Sequence, residues 1–268
     1  MFNELTIIGG KDKDNNKENI STFTIKQSQI YSIVGFTGSG KSQLIQDIEG
    51  LSQGDTVSKR RICIDGRFPE LSFRYNPRKK VVSHLSQNMN FVLDMNVKDF
   101  LKLRIESRFD GNGLNRLYEV LDCANTLAGE PIKEDYLLTK LSGGQSRALM
   151  IADLAINSNA PIVLIDEIEN AGINKLLAMN LLINHKKIVL VVTHDPVLSL
   201  LGEKRIIMEN GGMKQIIATN NGEKQILSYL ERISNIYLSA QDDLRNGKIL
   251  EVDKFNLLKK KEDIFYAS

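Results

Sequence analysis

The stretch Gly35-Phe36-Thr37-Gly38-Ser39-Gly40-Lys41-Ser42 constrains what this chain can fold into more than any other. It fits the pattern GxxxxGK[ST], follows the β-rich run Ile30-Tyr31-Ser32-Ile33-Val34, and opens a helical pattern from Lys41 to Ile48. Glycines let successive backbone N–H groups turn inward around phosphate oxygens. The helix start adds positive potential at the same place. Lys41 can reach β- and γ-phosphates, and the Ser42 hydroxyl suits Mg²⁺. Gly35, Thr37, Gly38, Ser39, Gly40, Lys41, Ser42 and the adjoining Gln43 are therefore the candidate nucleotide-binding residues. A chance glycine-rich turn needs neither the strand before it nor the helix after it.

The remaining pattern supplies a fold around that loop. Leu5–Ile8, Thr22–Lys26, Val81–Leu85, Pro161–Ile165, Lys187–Val192, Arg205–Met208 and Lys214–Ala218 read as strands, and Arg61–Ile64 with Asp65-Gly66 as a hairpin strand and its turn. Asn96 caps a helical pattern carrying Val97, Phe100, Leu101 and Ile105, and Leu114, Leu117, Val120, Leu121 and Ala124 continue it. Residues 96–158 are thus a helical insert. Strand, helix, strand alternation with apolar strands predicts an α/β fold with a parallel core. The 268 residues allow one large domain and a small appendage.

Other features exclude partners. With 35 basic and 33 acidic residues and no Trp, neither a global field nor an aromatic platform draws in nucleic acid, so none is expected. Cys63 and Cys123 are too far apart for CxxC zinc spacing. No apolar run approaches the ~18 residues that cross a bilayer, and Met1-Phe2-Asn3-Glu4 lacks the basic start of a secretory signal. The expectation is a cytoplasmic protein that meets any membrane through another chain.

Two further motifs carry chemistry. The apolar strand Ile162–Ile165 ends in Asp166 and Glu167, and the carboxyl ends of buried parallel strands face the ligand crevice. There Asp166 suits Mg²⁺, and Glu167 suits polarising an attacking water. Leu141-Ser142-Gly143-Gly144-Gln145 precedes the helical run Ser146–Ala155 and makes a second anion site at a helix start. One ATP does not need two such loops from one chain. Two chains head-to-tail use both, each closing Ser142, Gly143, Gly144 and Gln145 over its partner's γ-phosphate.

With these motifs in this order the chain resembles an ATP-binding cassette (ABC) ATPase over roughly residues 4–218. The resemblance implies a P-loop NTPase fold of ABC type, with a small antiparallel β part and the helical insert, as a nucleotide-binding domain at 1–220. It stops at about residue 220, and 221–268 is read from its apolar spacing as a C-terminal helical tail. The resemblance implies Mg²⁺ with ATP as cofactor and an ATP-dependent homodimer. It also implies that Gln87 contacts Mg²⁺ and the water, and that His194, after the strand Lys187–Val192, contacts the γ-phosphate; Glu167, His194 and Gln87 are then catalytic, and Ser42, Gln87 and Asp166 hold the metal. The chain departs from the family in three places. Gly9–Asp14 lacks the usual adenine-stacking aromatic, which leaves base selectivity open. Ile168 replaces the usual Pro, and Asn170-Ala171-Gly172-Ile173 lacks the usual Asp. Asp153 stands where the family carries Arg.

Three uses fit this pattern. One is the cytoplasmic motor of a transporter whose membrane subunits are separate chains. Another is a non-transport ATPase serving a protein client, in protein or metallocofactor assembly or enzyme reactivation. The third is a clamp that binds ATP and barely hydrolyses it, against which Glu167 and His194 argue. In the tail, Ile226, Leu230, Ile233, Tyr237, Ala240 and Leu244 recur at spacings of four and three, as on an amphipathic helix that packs on its own domain or docks elsewhere. Lys259-Lys260-Lys261 reads as a solvated face.

Overall fold

The computed structural model describes residues 2–76, 79–87, 89–107, 114–168 and 172–251. In chain order the strands are Glu4–Ile8 (β1), Thr22–Lys26 (β2), Ile30–Val34 (β3), Arg61–Ile64 (β4), Val82–Leu85 (β5), Ile162–Asp166 (β6), Ile188–Val192 (β7), Lys204–Glu209 (β8) and Gly212–Ala218 (β9). The helices are Lys41–Glu49 (α1), Leu71–Tyr75 (α2), Val97–Glu106 (α3), Leu114–Leu127 (α4), Gly143–Ile156 (α5), Lys175–Asn184 (α6), Pro196–Leu201 (α7) and Asn221–Arg245 (α8). The chain divides into two compact units between Thr219 and Asn220.

The first unit is built on a six-stranded sheet in the order β5-β6-β7-β3-β8-β9. The first five strands run parallel, and β9 closes the edge antiparallel to β8. β6 and β7 are apolar almost throughout because both faces of the sheet are covered. Their side chains alternate between two cores. Val163, Ile165, Val189 and Val191 pack with the apolar faces of α3, α4, α5 and α6. Ile162, Leu164, Ile188, Leu190 and Val192 pack with Leu44, Ile45 and Ile48 of α1 and with Leu5, Ile7, Ile25 and Ile62 of a second, antiparallel sheet, ordered β2-β1-β4. The α/β fold with a small antiparallel part is thus observed.

The helical insert contains α3, α4 and α5, and Asn96 caps α3 by accepting a 2.8 Å bond from the Asp99 amide. The run expected to start at Ser146 starts at Gly143, because Ser142 and Gln145 form a capping box around it. The expected hairpin at β4 is corrected. The turn at Asp65-Gly66 exists, but the chain returns only as one bridge between Ile64 and Arg67, and β4 pairs with β1. Three helices, α2, α6 and α7, lie outside the sequence expectations. In α6 seven of ten residues are apolar and fall on all sides, so no helical stripe marks it. α7 did carry a signal, Asp195 as cap followed by Pro196 in the first turn.

In the second unit α8 spans 25 residues and carries the whole stripe from Ile226 to Leu244. Ile226, Ile233, Tyr237 and Leu244 are exposed. Lys259-Lys260-Lys261 lies outside the described residues, as do Asn170 and Ala171. Among the described residues no helix is long and apolar enough to cross a membrane.

The unexpected Asp153 has a partner that the sequence does not advertise. Its buried carboxylate accepts from Arg104 of α3 at 2.6 and 2.8 Å and from Asn157 at 3.0 Å. The pair ties the first helix of the insert to the helix that follows the Ser142 loop. Removing one partner of a buried pair leaves a desolvated charge. Arg104→Ala is expected to cost about 2 kcal/mol, or roughly 4–8 °C in Tm for a unit of this size. Asp153→Asn in the same background recovers most of that loss, as thermal melts will show.

Candidate active site

The parallel strands bring the candidate residues to one rim. Asp166 of β6 is level with Val192 of β7, and Val192 is level with Ile33 of β3. Two residues beyond Val192 comes His194, and two beyond Ile33 comes Gly35. On the other flank Leu85 of β5 pairs with Ile165, and Gln87 follows two residues later. Gln87, Asp166, Glu167, His194 and the loop from Gly35 to Ser42 therefore occupy the carboxyl edge of four adjacent strands, where open α/β sheets bind ligands.

Within that rim the loop is held from behind. Gly40 has φ +99°, a conformation that L side chains rarely adopt, and a Cβ there lands 2.6 Å from the Gly211 Cα. The Gly211 amide donates to the Ser39 carbonyl at 2.8 Å. From the opposite side the Lys13 ammonium donates to the Gly38 carbonyl at 2.7 Å. The largely buried Lys41 turns its ammonium into the loop, 2.8 Å from the Gly35 carbonyl and 3.2 Å from that of Phe36. The Ser42 hydroxyl is on the exposed side of the first turn of α1, whereas Gln43 points inward and donates to Asp47 at 2.9 Å.

Glu167 and His194 meet, with Nε2 3.9 Å from the carboxylate oxygen. Their side chains are 29% and 51% exposed, so a water can reach both. Two local features aim them. Glu167 has φ +49° and its amide donates to the Val192 carbonyl at 3.0 Å, which locks the residue after β6 onto the end of β7. Non-glycine residues in this region cost about 1–3 kcal/mol and collect at functional sites. Beside His194, Asp195 accepts from Val197 and Leu198 at the start of α7 and pairs with Lys175 of α6.

The Ser142 loop does not belong to this rim. It caps α5 on the helical side of the sheet, with Ser142 and Gly143 exposed. Gln145 is buried, accepts from the Ser142 amide at 2.9 Å and donates to the Pro131 carbonyl at 3.0 Å, so its amide is occupied within its own chain. A Cβ on Gly172 comes 4.0 Å from the Gly144 Cα, which places Gly172 against the Ser142 loop. Sequence reasoning missed Arg147, whose guanidinium donates to the Gln87 carbonyl and joins α5 to the rim. It also missed Lys13. Neither stands in a motif, so no sequence signal marks them. His84 is packed on β5 against Glu49 at 2.9 Å, away from any catalytic role, and Cys63 and Cys123 are free thiols.

Comparisons with known proteins bear on the family and the fold. A family model described as ABC transporter matches residues 19–170. The chain is 52% identical over 260 residues to an uncharacterized ABC transporter ATP-binding protein of Methanocaldococcus jannaschii, covering 96% of this chain and 98% of that protein. It is 28% identical over 200 residues to an energy-coupling factor transporter ATP-binding protein of Streptococcus agalactiae, with 72% and 69% covered. Among solved structures, an ATP-binding subunit of an ABC transporter matches with a TM-score of 0.63 at 17% identity, covering 88% of this chain and 99% of that one. A dimeric ATP-binding cassette bound to ADP and Pi matches with a TM-score of 0.58 at 21% identity, covering 81% and 99%. These two likenesses show the fold.

The close approach of Gly40 to Gly211 has a measurable consequence. Gly40→Ala forces the loop or the turn at Gly211 to move, and nucleotide affinity is expected to fall about 10-fold or more, since small displacements of a positioned ligand are costly. Equilibrium titration with a fluorescent ATP analogue reads this directly, and wild-type affinity contradicts the packing argument.

Proposed function

The chain belongs to the ABC transporter family of ATP-binding proteins and is an ATP hydrolase; from that premise we propose that it binds Mg-ATP between two head-to-tail copies and drives the membrane subunits of a transporter carried on separate chains. The observation that carries the hydrolytic part is the approach of Glu167 to His194 at 3.9 Å, on the strand rim that also holds the Lys41 loop. The partner reading is supported by relatives named as ABC and energy-coupling factor transporter ATP-binding proteins.

The residues fit a magnesium ion. The Ser42 hydroxyl and the Asp166 carboxylate are hard oxygen donors. Among the described residues no cluster of three or more His, Cys, Asp or Glu side chains could hold a metal alone. Mg²⁺ takes most of its shell from phosphates and water and needs only one or two protein oxygens. Ser42 and Asp166 are proposed to hold it, with Gln87 as a further contact. When bound, it neutralises charge on the β- and γ-phosphate oxygens.

The protein's own part is positioning and electrostatics. Loop amides from Gly38 to Ser42 and the Lys41 ammonium hold the β- and γ-phosphates. Glu167 accepts a hydrogen bond from the attacking water and aligns it with the γ-phosphorus. His194, beside it, donates to a γ-phosphate oxygen. Ser142, Gly143 and Gly144 of a second copy close the far side of the γ-phosphate and exclude bulk water. Gln145 acts in this scheme by holding the loop's shape. No aromatic stands in Gly9–Lys17 to stack on a base, so the phosphates carry most of the recognition.

Glu167→Gln keeps the shape of the side chain and removes its charge. The kcat is expected to fall about 100-fold or more, while ATP binding persists and ATP shifts the protein to a dimer in size-exclusion chromatography. Unchanged steady-state turnover overturns the assignment of Glu167.

A further inference from the structure

Behind the phosphate loop lies an arginine that the proposed chemistry does not use. Arg60 is fully buried, with 0% of its side chain exposed. Its guanidinium meets three acceptors from three distant parts of the chain. One terminal nitrogen is 2.8 Å from the Asp47 carboxylate on α1. The other is 2.6 Å from the Glu18 carboxylate, on the loop between β1 and β2, and 2.6 Å from the Gly211 carbonyl. Burial pushes the Glu18 carboxyl above its ordinary value, against the pull of Arg60.

One of these acceptors touches the phosphate loop, and a second reaches its end through Gln43. Gly211 is the residue whose amide holds the Ser39 carbonyl and whose Cα leaves no room for a Cβ on Gly40. Asp47 is gripped by Ser58 at 2.7 Å and by Gln43 at 2.9 Å, and Gln43 directly follows Ser42. The third segment is tied in as well. The loop that carries Glu18 also carries Lys13, whose amide donates to the Asn210 carbonyl and whose ammonium donates to the Gly38 carbonyl. The backbone that carries Arg60 is held as closely, because a Cβ on Gly10 comes 2.0 Å from the Ser58 carbonyl oxygen and 2.6 Å from the Arg60 backbone nitrogen.

We propose that Arg60 is a positioning residue for ATP binding, fixing the phosphate loop through the Gly211 turn and through Asp47 at the root of α1. A planar fork with several donors in fixed directions suits this task, and a lysine ammonium reproduces neither the plane nor the spread. A buried ionic cluster is weak evidence for stability, since apolar packing of equal volume often does as well. What the cluster supplies here is connection, because one guanidinium bonds both Asp47 of α1 and the Gly211 carbonyl. The proposal rests on the reading that the nucleotide's phosphates occupy the loop.

The test separates position from stability. Arg60→Met leaves Glu18 and Asp47 buried without their cation and lowers the melting temperature. Arg60→Met/Glu18→Gln removes one of the two charges and restores much of that loss, but it still lacks the bond to Gly211. In the double variant the amides of residues 35–44 are expected to exchange with deuterium about 10-fold faster than wild type, while β7 keeps its protection. The KM for ATP is expected to rise about 10-fold with little change in kcat. Wild-type exchange over residues 35–44 in the double variant overturns the proposal, whatever ATP does. The underlying reading fails separately, if Lys41→Ala leaves the KM for ATP unchanged.

Discussion

The parallel register of β6, β7 and β3 is the constraint on which the rest depends. Asp166, Val192 and Ile33 lie in one row across three strands, so the segments that leave those strands start at the same height. A one-residue slip in any pair turns every side chain to the opposite face. It would exchange the two cores, because Val163 and Ile165 face the helices while Ile162 and Leu164 face α1 and the antiparallel sheet. The hydrophobic pattern thus fixes the height at which Glu167 meets His194. The geometry of the candidate site is here a by-product of core packing.

Some of this was legible in the sequence for a physical reason. The loop around Lys41, the acids after β6 and the Ser142 loop each need particular residue types at fixed spacing, so they can be read locally. Buried parallel strands such as Ile188–Val192 are apolar at every position and announce themselves. What was not legible has no local pattern. Glu18, Asp47 and Arg60 stand in no motif, and only the tertiary fold makes them a single buried cluster. Asp153 looked like a departure with nothing to answer it, and its answer is Arg104, 49 positions earlier. α6 was missed because its apolar residues fall on all sides, so no helical stripe marks it.

Two loops that look alike in sequence are built differently. The Lys41 loop depends on backbone conformations that only glycine adopts comfortably and on a turn pressed against it at Gly211. The Ser142 loop is an ordinary helix cap, closed by Ser142 and Gln145, and its first glycine faces open space: a Cβ on Gly143 meets nothing within 4 Å. Arg147 connects the helix behind the second loop to the rim of its own chain through the Gln87 carbonyl.

The most direct measurement is a crystal structure of the Glu167→Gln variant grown with Mg²⁺ and ATP. Expected is a dimer with two nucleotides. In it, each γ-phosphate is contacted by Lys41 and His194 of one chain and by Ser142, Gly143 and Gly144 of the other. A nucleotide bound away from the carboxyl rim of β3, β6 and β7, or one whose γ-phosphate is far from both Lys41 and His194, contradicts the assignment of the rim as the site of hydrolysis.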